Sequence, residues 1–190
     1  MLGRSGERPT PPLNIIGDMG GGGLLLAFGM VCALLEAQRS GRGQVVDASM
    51  VEGSALLAST VYELRAAGWW GERRGSNLLD SGAPFYEVYA TADGGFMAVG
   101  AIEPPFYAAL LDGLGLAAAD LPAQLDSAAW PQLKERFAEI FSTRTRAEWS
   151  ETFEGTDACV TPVLTLAEAA LHPHNTERQA FLRPDGVLQA

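Results

Sequence analysis

Gly17-Asp18-Met19-Gly20-Gly21-Gly22-Gly23, followed at once by the apolar run Leu24 to Leu35, is the stretch on which the fold turns. Four consecutive glycines lose more backbone freedom on ordering than any other quartet, so an ordered run here requires a close approach of the backbone to a ligand or to another segment. Two roles are open to the carboxylate at its mouth. Asp18 either caps the helix that follows, or serves as a catalytic acid beside a backbone-lined site. Leu24 to Ala37 is expected as a helix that is apolar all round, which needs protein on every side. The continuous apolar run has twelve residues, and a bilayer-crossing helix takes roughly 20, so no membrane span is expected.

Upstream, residues 3–12 hold too much Pro and Gly for a regular element and are expected to be extended. Downstream, Gln38-Arg39-Ser40-Gly41-Arg42-Gly43 ends the helix, with glycine for a left-handed turn and arginines at the negative helix end. Gln44-Val45-Val46-Asp47 is expected as a short strand and Ala48 to Ala67 as a second long helix. Helix, strand and helix in that order suggest part of an α/β layer. From Gly68 to Gly82 periodicity dissolves into a loop that is read as a linker, with Trp69 and Trp70 expected to pack on a neighbour.

Beyond it, Phe85 to Ala90 and Phe96 to Gly100 flank Ala92-Asp93-Gly94-Gly95, a hairpin signal. The second strand leads through Glu103 into Pro104-Pro105, which suit the start of a helix over Phe106 to Leu114. Glu103 thus stands at a strand end and a helix start, either as a favourable charge at the helix N-terminus or as a side chain aimed into a cleft. Trp130 to Phe141 is an amphipathic helix, and Arg146 to Phe153 a shorter one closed by Gly155. Cys159 to Leu164 is strand-like, and Thr165 with Glu168 forms a capping box for Leu166 to Leu171. His172-Pro173-His174-Asn175 ends that helix. No further Cys or His supports a metal site there, so no metal is expected.

The 190 residues carry a net charge of −10, and 47% are apolar. Residues 1–76 balance seven arginines against seven acids, whereas residues 77–190 hold six basic against sixteen acidic groups. That shift hints at a domain boundary, and the lack of a basic stripe argues against nucleic acid. Cys32 and Cys159 form no metal or redox spacing and are expected as reduced core residues, in keeping with a cytoplasmic protein.

Taken in order, several short motifs resemble the family III CoA-transferases, and in particular their α-methylacyl-CoA racemase branch. They are Pro11-Pro12-Leu13-Asn14, Gly17-Asp18-Met19-Gly20-Gly21-Gly22, Leu35-Glu36, Ser40 to Ala48, Met50-Val51, Leu79-Asp80, Gly82 to Tyr86, Val99 to Pro104, Asp157 to Val160 and His172-Pro173. At Ser81 the chain departs from the family, where racemases usually show a second glycine before Gly82.

The resemblance implies an α/β fold with a large Rossmann-like domain, a small α+β domain and an interlocked homodimer. Residues 1–67 would be part of the large domain, 68–82 the linker, 83–175 the small domain and 176–190 the start of a return segment. It also implies an acyl-CoA thioester substrate, with CoA part of the substrate and no separate cofactor. A racemase takes the α-proton from one face of a 2-methylacyl-CoA and returns one to the other, which needs two acid/base groups. The resemblance assigns one to Asp18 and the other to a histidine that the family carries in its N-terminal region. Neither His172 nor His174 matches that histidine by motif. Glu103 would orient it, and Gly20, Gly21 and Gly22 would line the substrate loop. In the transferase branch the same aspartate is a nucleophile, so a CoA-transferase with Asp18 in that role is the alternative. A third possibility is an inactive fragment or assembly module.

Overall fold

A computed structural model of the chain describes residues 2–189; Met1 and Ala190 lie outside the described residues. The chain forms two compact units, one running to Gly82 and the other beginning at Ala83.

In the first unit a π-helical segment, Ile15–Leu24, runs directly into α1, Leu25–Ser40. Leu, Ala and Met are strong helix formers, and Gly41 stops the helix in the left-handed region at φ 72°, donating its N–H to the Ala37 carbonyl at 2.8 Å. The expected cover is missing. No residue of α1 is buried, and Phe28 is 69% exposed, because the unit folds back on the glycine segment and leaves the apolar faces of α1 open. Since the glycine segment is itself helical, the helical run Ile15–Ser40 has 26 residues and is long and apolar enough to cross a membrane by length and composition alone. The core helix of a soluble protein meets the same description. The premise that this run is too short to span is therefore corrected.

Further expectations fail, most of them in this unit. Gln44 to Asp47 is not a strand, and Val45 is 92% exposed: a strand exists only where another pairs with it, and none of the described residues does. The long helix after Ala48 is two, α2 (Met50–Leu57) and α3 (Ser59–Ala66), broken at Ala58 with φ −89° and ψ 5°. Ser59, Thr60 and Val61, weak helix formers in succession, follow the break. Trp69 is 72% exposed, and Cys32 and Cys159 are free and exposed rather than core residues.

The second unit holds the sheet, antiparallel in the order β1 (Tyr86–Ala90), β2 (Phe96–Gly100), β3 (Val160–Pro162). Tyr86 pairs with Gly100 and Ala90 with Phe96, as the turn signal between them requires. Helices α4 (Pro104–Gly113), α5 (Trp130–Phe141) and α6 (Arg146–Phe153) supply Leu110, Leu111, Leu133, Phe137, Phe141, Trp149 and Phe153 to a core with Phe85, Tyr89 and Met97. Tyr89 stacks on Phe141 at 4.9 Å, and Trp149 donates its indole N–H to the Phe141 carbonyl at 2.8 Å, so the largest rings are both packed and satisfied. Glu87 faces this interior at 6% exposure and pairs with Lys134 at 2.7 Å. Helices α7 (Leu166–Leu171) and α8 (Pro173–Glu177) follow, and a bridge between Leu182 and Gln189 closes the segment around Pro184 to Gly186. The mixed α/β character of the chain thus comes from the second unit; among the described residues the first has no strand.

Candidate functional site

Asp18 lies four residues into the π-helical segment, with its side chain exposed. The N-cap position is Asn14, whose carbonyl accepts the Met19 N–H at 3.1 Å across five residues, so Asp18 is not the helix cap. π-Helical geometry is rare and recurs at functional sites. The glycines behind Asp18 serve a close approach. A Cβ on Gly53 would fall inside the Gly21 carbonyl, and one on Gly21 would stand 2.7 Å from the Ser54 nitrogen. Gly20 and Gly22 face Leu57 and Met50 of α2 in the same way, at 3.2 and 3.0 Å from a built Cβ. The run is thus ordered by contact with another segment, and Asp18 stays exposed in the same helical stretch.

The loop after α3 is held by Asp80, another motif residue. Its carboxylate accepts the Gly75 N–H at 2.9 Å, the Asn77 N–H at 2.7 Å and the Asn77 side-chain amide at 2.7 Å. Asn77, buried, binds the Gly71 N–H through its Oδ1 at 2.7 Å. Ser81 adopts φ 70°, a conformation that glycine takes without strain, which explains why glycine suits this position.

Glu103 belongs to the second unit and is exposed. It is the N-cap of α4, at φ −73° and ψ 144°, and its carbonyl accepts the Tyr107 N–H at 2.9 Å. Pro104 disfavours helical geometry at the residue before it, which holds Glu103 in this extended form. Its carboxylate makes no capping hydrogen bond to the helix, although its charge still stands at the helix N-terminus. Between β2 and Glu103, the Ala101 N–H donates to the Phe85 carbonyl at 2.9 Å. The Gln124 amide donates to the carbonyls of Ala101 and Ile102, at 3.3 and 2.7 Å. Gln124 carried no signal in the sequence, being one polar residue in a loop without period. Although Cys159 is exposed, partial desolvation raises its thiol above the ordinary pKa, with the Glu103 and Asp157 carboxylates adding to the effect.

Asp18 and the glycines therefore come together in one unit, and Glu103 stands in the other. His172 is the shared boundary of α7 and α8, and His174 lies within α8. Among the described residues no group of three or more His, Cys, Asp or Glu is placed to hold a metal ion.

The sequence profile of CoA-transferase family III matches residues 1–187. The chain belongs to CoA-transferase family III. Within that family it is 59% identical over 181 residues to a mouse (Mus musculus) α-methylacyl-CoA racemase, covering 95% of this chain and 48% of that protein. It is 53% identical to the human (Homo sapiens) α-methylacyl-CoA racemase over the same length, covering 47% of that protein. This family III chain thus spans about half the length of the curated relatives it matches. A solved CAIB/BAIF family protein from Brucella suis shares the fold at a TM-score of 0.69 with 20% identity, over 99% of this chain and 50% of that one.

Proposed function

We propose that this family III chain forms part of an enzyme that racemises 2-methylacyl-CoA thioesters by exchange of the α-proton. The observation that carries this is 59% identity to a named α-methylacyl-CoA racemase across 95% of the chain. The chemistry is spare. A base breaks the α-C–H bond, the electron pair passes into the thioester carbonyl as an enolate, and an acid delivers a proton to the opposite face. Asp18 is one of the two groups: it is exposed on a π-helical turn, in the segment that the Gly21–Gly53 approach fixes, and is not used as a helix cap. The other is a histidine outside these 190 residues, and Glu103, whose carboxylate is not used for capping, orients it.

The test uses the complete polypeptide encoded with this chain, incubated in deuterated water with one enantiomer of a 2-methylacyl-CoA and no acceptor acid. Deuterium enters the α-position as optical activity is lost, and Asp18→Asn slows both by at least about 100-fold, the usual worth of a positioned acid/base group. Strict dependence on an added carboxylic acid would instead establish a CoA-transferase in which Asp18 attacks as a nucleophile. The 190 residues alone, holding one of the two groups, exchange at below about one hundredth of the complete rate. Rapid exchange by the short chain, abolished by Asp18→Ala, contradicts the two-base assignment.

A further inference from the structure

We infer that Gln124 is a positioning residue that sets the direction of Glu103, an inference resting on the role given to Glu103 above. The last ladder pair of β1 and β2 is Tyr86 with Gly100, so the next two carbonyls, Ala101 and Ile102, lie past the registered strands. Ala101 is fully buried, and a buried carbonyl left without a donor costs about 1–3 kcal/mol. Both carbonyls are served by one side-chain amide, Gln124 Nε2, at 3.3 and 2.7 Å. The side-chain oxygen could serve neither, because it only accepts, so the amide orientation follows from the partners themselves.

Gln124 is in turn held by Trp130, whose indole N–H donates to the Gln124 backbone carbonyl at 2.9 Å. Trp130 is buried and meets Phe85 edge to face at 5.8 Å, and Phe85 accepts the Ala101 N–H. A closed path therefore runs from the core through Trp130 and Gln124 to the residue just before Glu103. On the other side, Pro104 and the Tyr107 N–H fix the Glu103 backbone. With both flanks held, the carboxylate has side-chain freedom but little backbone freedom. A catalytic partner misplaced by about 1 Å can lose 100-fold in rate, so a clamp on the two preceding carbonyls bears on turnover rather than on substrate affinity.

The experiment is a double-mutant cycle on α-proton exchange by the complete enzyme. Gln124→Met keeps length and packing but removes the donor, and Gln124→Glu keeps the shape but sets an acceptor against two carbonyls. Each lowers kcat about tenfold with KM within about twofold. In a Glu103→Gln background the further loss from either Gln124 variant shrinks below about twofold, because it acts through Glu103. Thermal melting identifies a variant that has failed to fold, and the other variant then carries the test. Losses that simply add, or fall on KM, overturn the positioning role while leaving Glu103 in place. If Glu103→Gln keeps full turnover, the role of Glu103 itself fails, and the inference with it.

Discussion

α1 and α5 are both rich in large apolar side chains, and the chain treats them in opposite ways. In α5, Trp130, Leu133, Phe137 and Phe141 are buried while Lys134, Glu135, Arg136 and Glu139 alternate with them, so the helix carries its own orientation in its period. α1 shows no polar side chain larger than Cys32 before Glu36, and none of its residues is buried. An amphipathic helix states which face it will hide and needs one neighbour. A helix apolar on every side states only that it needs cover, and the element that supplies it must come from elsewhere.

The sharpest way to break this contrast is a matched pair of truncations. Phe137→Ala, at a fully buried site, is expected to destabilise the second unit by about 3–5 kcal/mol in urea unfolding. Phe28→Ala, at an exposed site on α1, changes stability by no more than about 0.5 kcal/mol. Comparable losses at both sites show that α1 is covered in solution. Smaller, and confined to the first unit, is the effect of Gly53→Ala. Its methyl would collide with the Gly21 carbonyl, and separating the two backbones costs about 1–3 kcal/mol, measurable as a lower melting temperature. A neutral result means that the glycine segment and α2 do not pack backbone to backbone.

The smallest expected effect sharpens the second unit alone. The Arg146 side chain, then the backbone and hydroxyl of Thr165, hold the Glu168 carboxyl at about 2, against 4.5 for the free group. A carboxyl with a depressed folded-state pKa stabilises the fold above its unfolded value and loses that effect as pH falls through the folded one. Acid melts followed by circular dichroism therefore decline between pH 4.5 and about 2, and Arg146→Met flattens that part of the curve. An unchanged acid profile in the variant removes the pair from any role in holding α6 to α7.

Elements written in short-range chemistry were legible before folding. The Asp93-Gly94 turn, Pro104-Pro105 at a helix start and the Thr165-Glu168 capping box act within a few residues, and each stands where its signal places it. Thr145 with Glu148 ahead of α6 is the same kind of signal and forms a capping box as well. Elements that depend on a distant partner were not legible. Gln44 to Asp47 has strand composition but no strand beside it, and Glu87 is buried because Lys134 reaches it from α5. Of the candidate site, ordered motifs pointed to Asp18 and Glu103, whereas Gln124 became visible only with the carbonyls it binds.

By itself the sequence determined the family, the helical and hairpin punctuation, and an acid beside a glycine run, because these reside in residue type and spacing along one stretch. Tertiary structure alone decided what the glycines are for. Gly21 and Gly53 are far apart in the chain, and only when their backbones meet does the need for two missing side chains become a fact about the segment that carries Asp18.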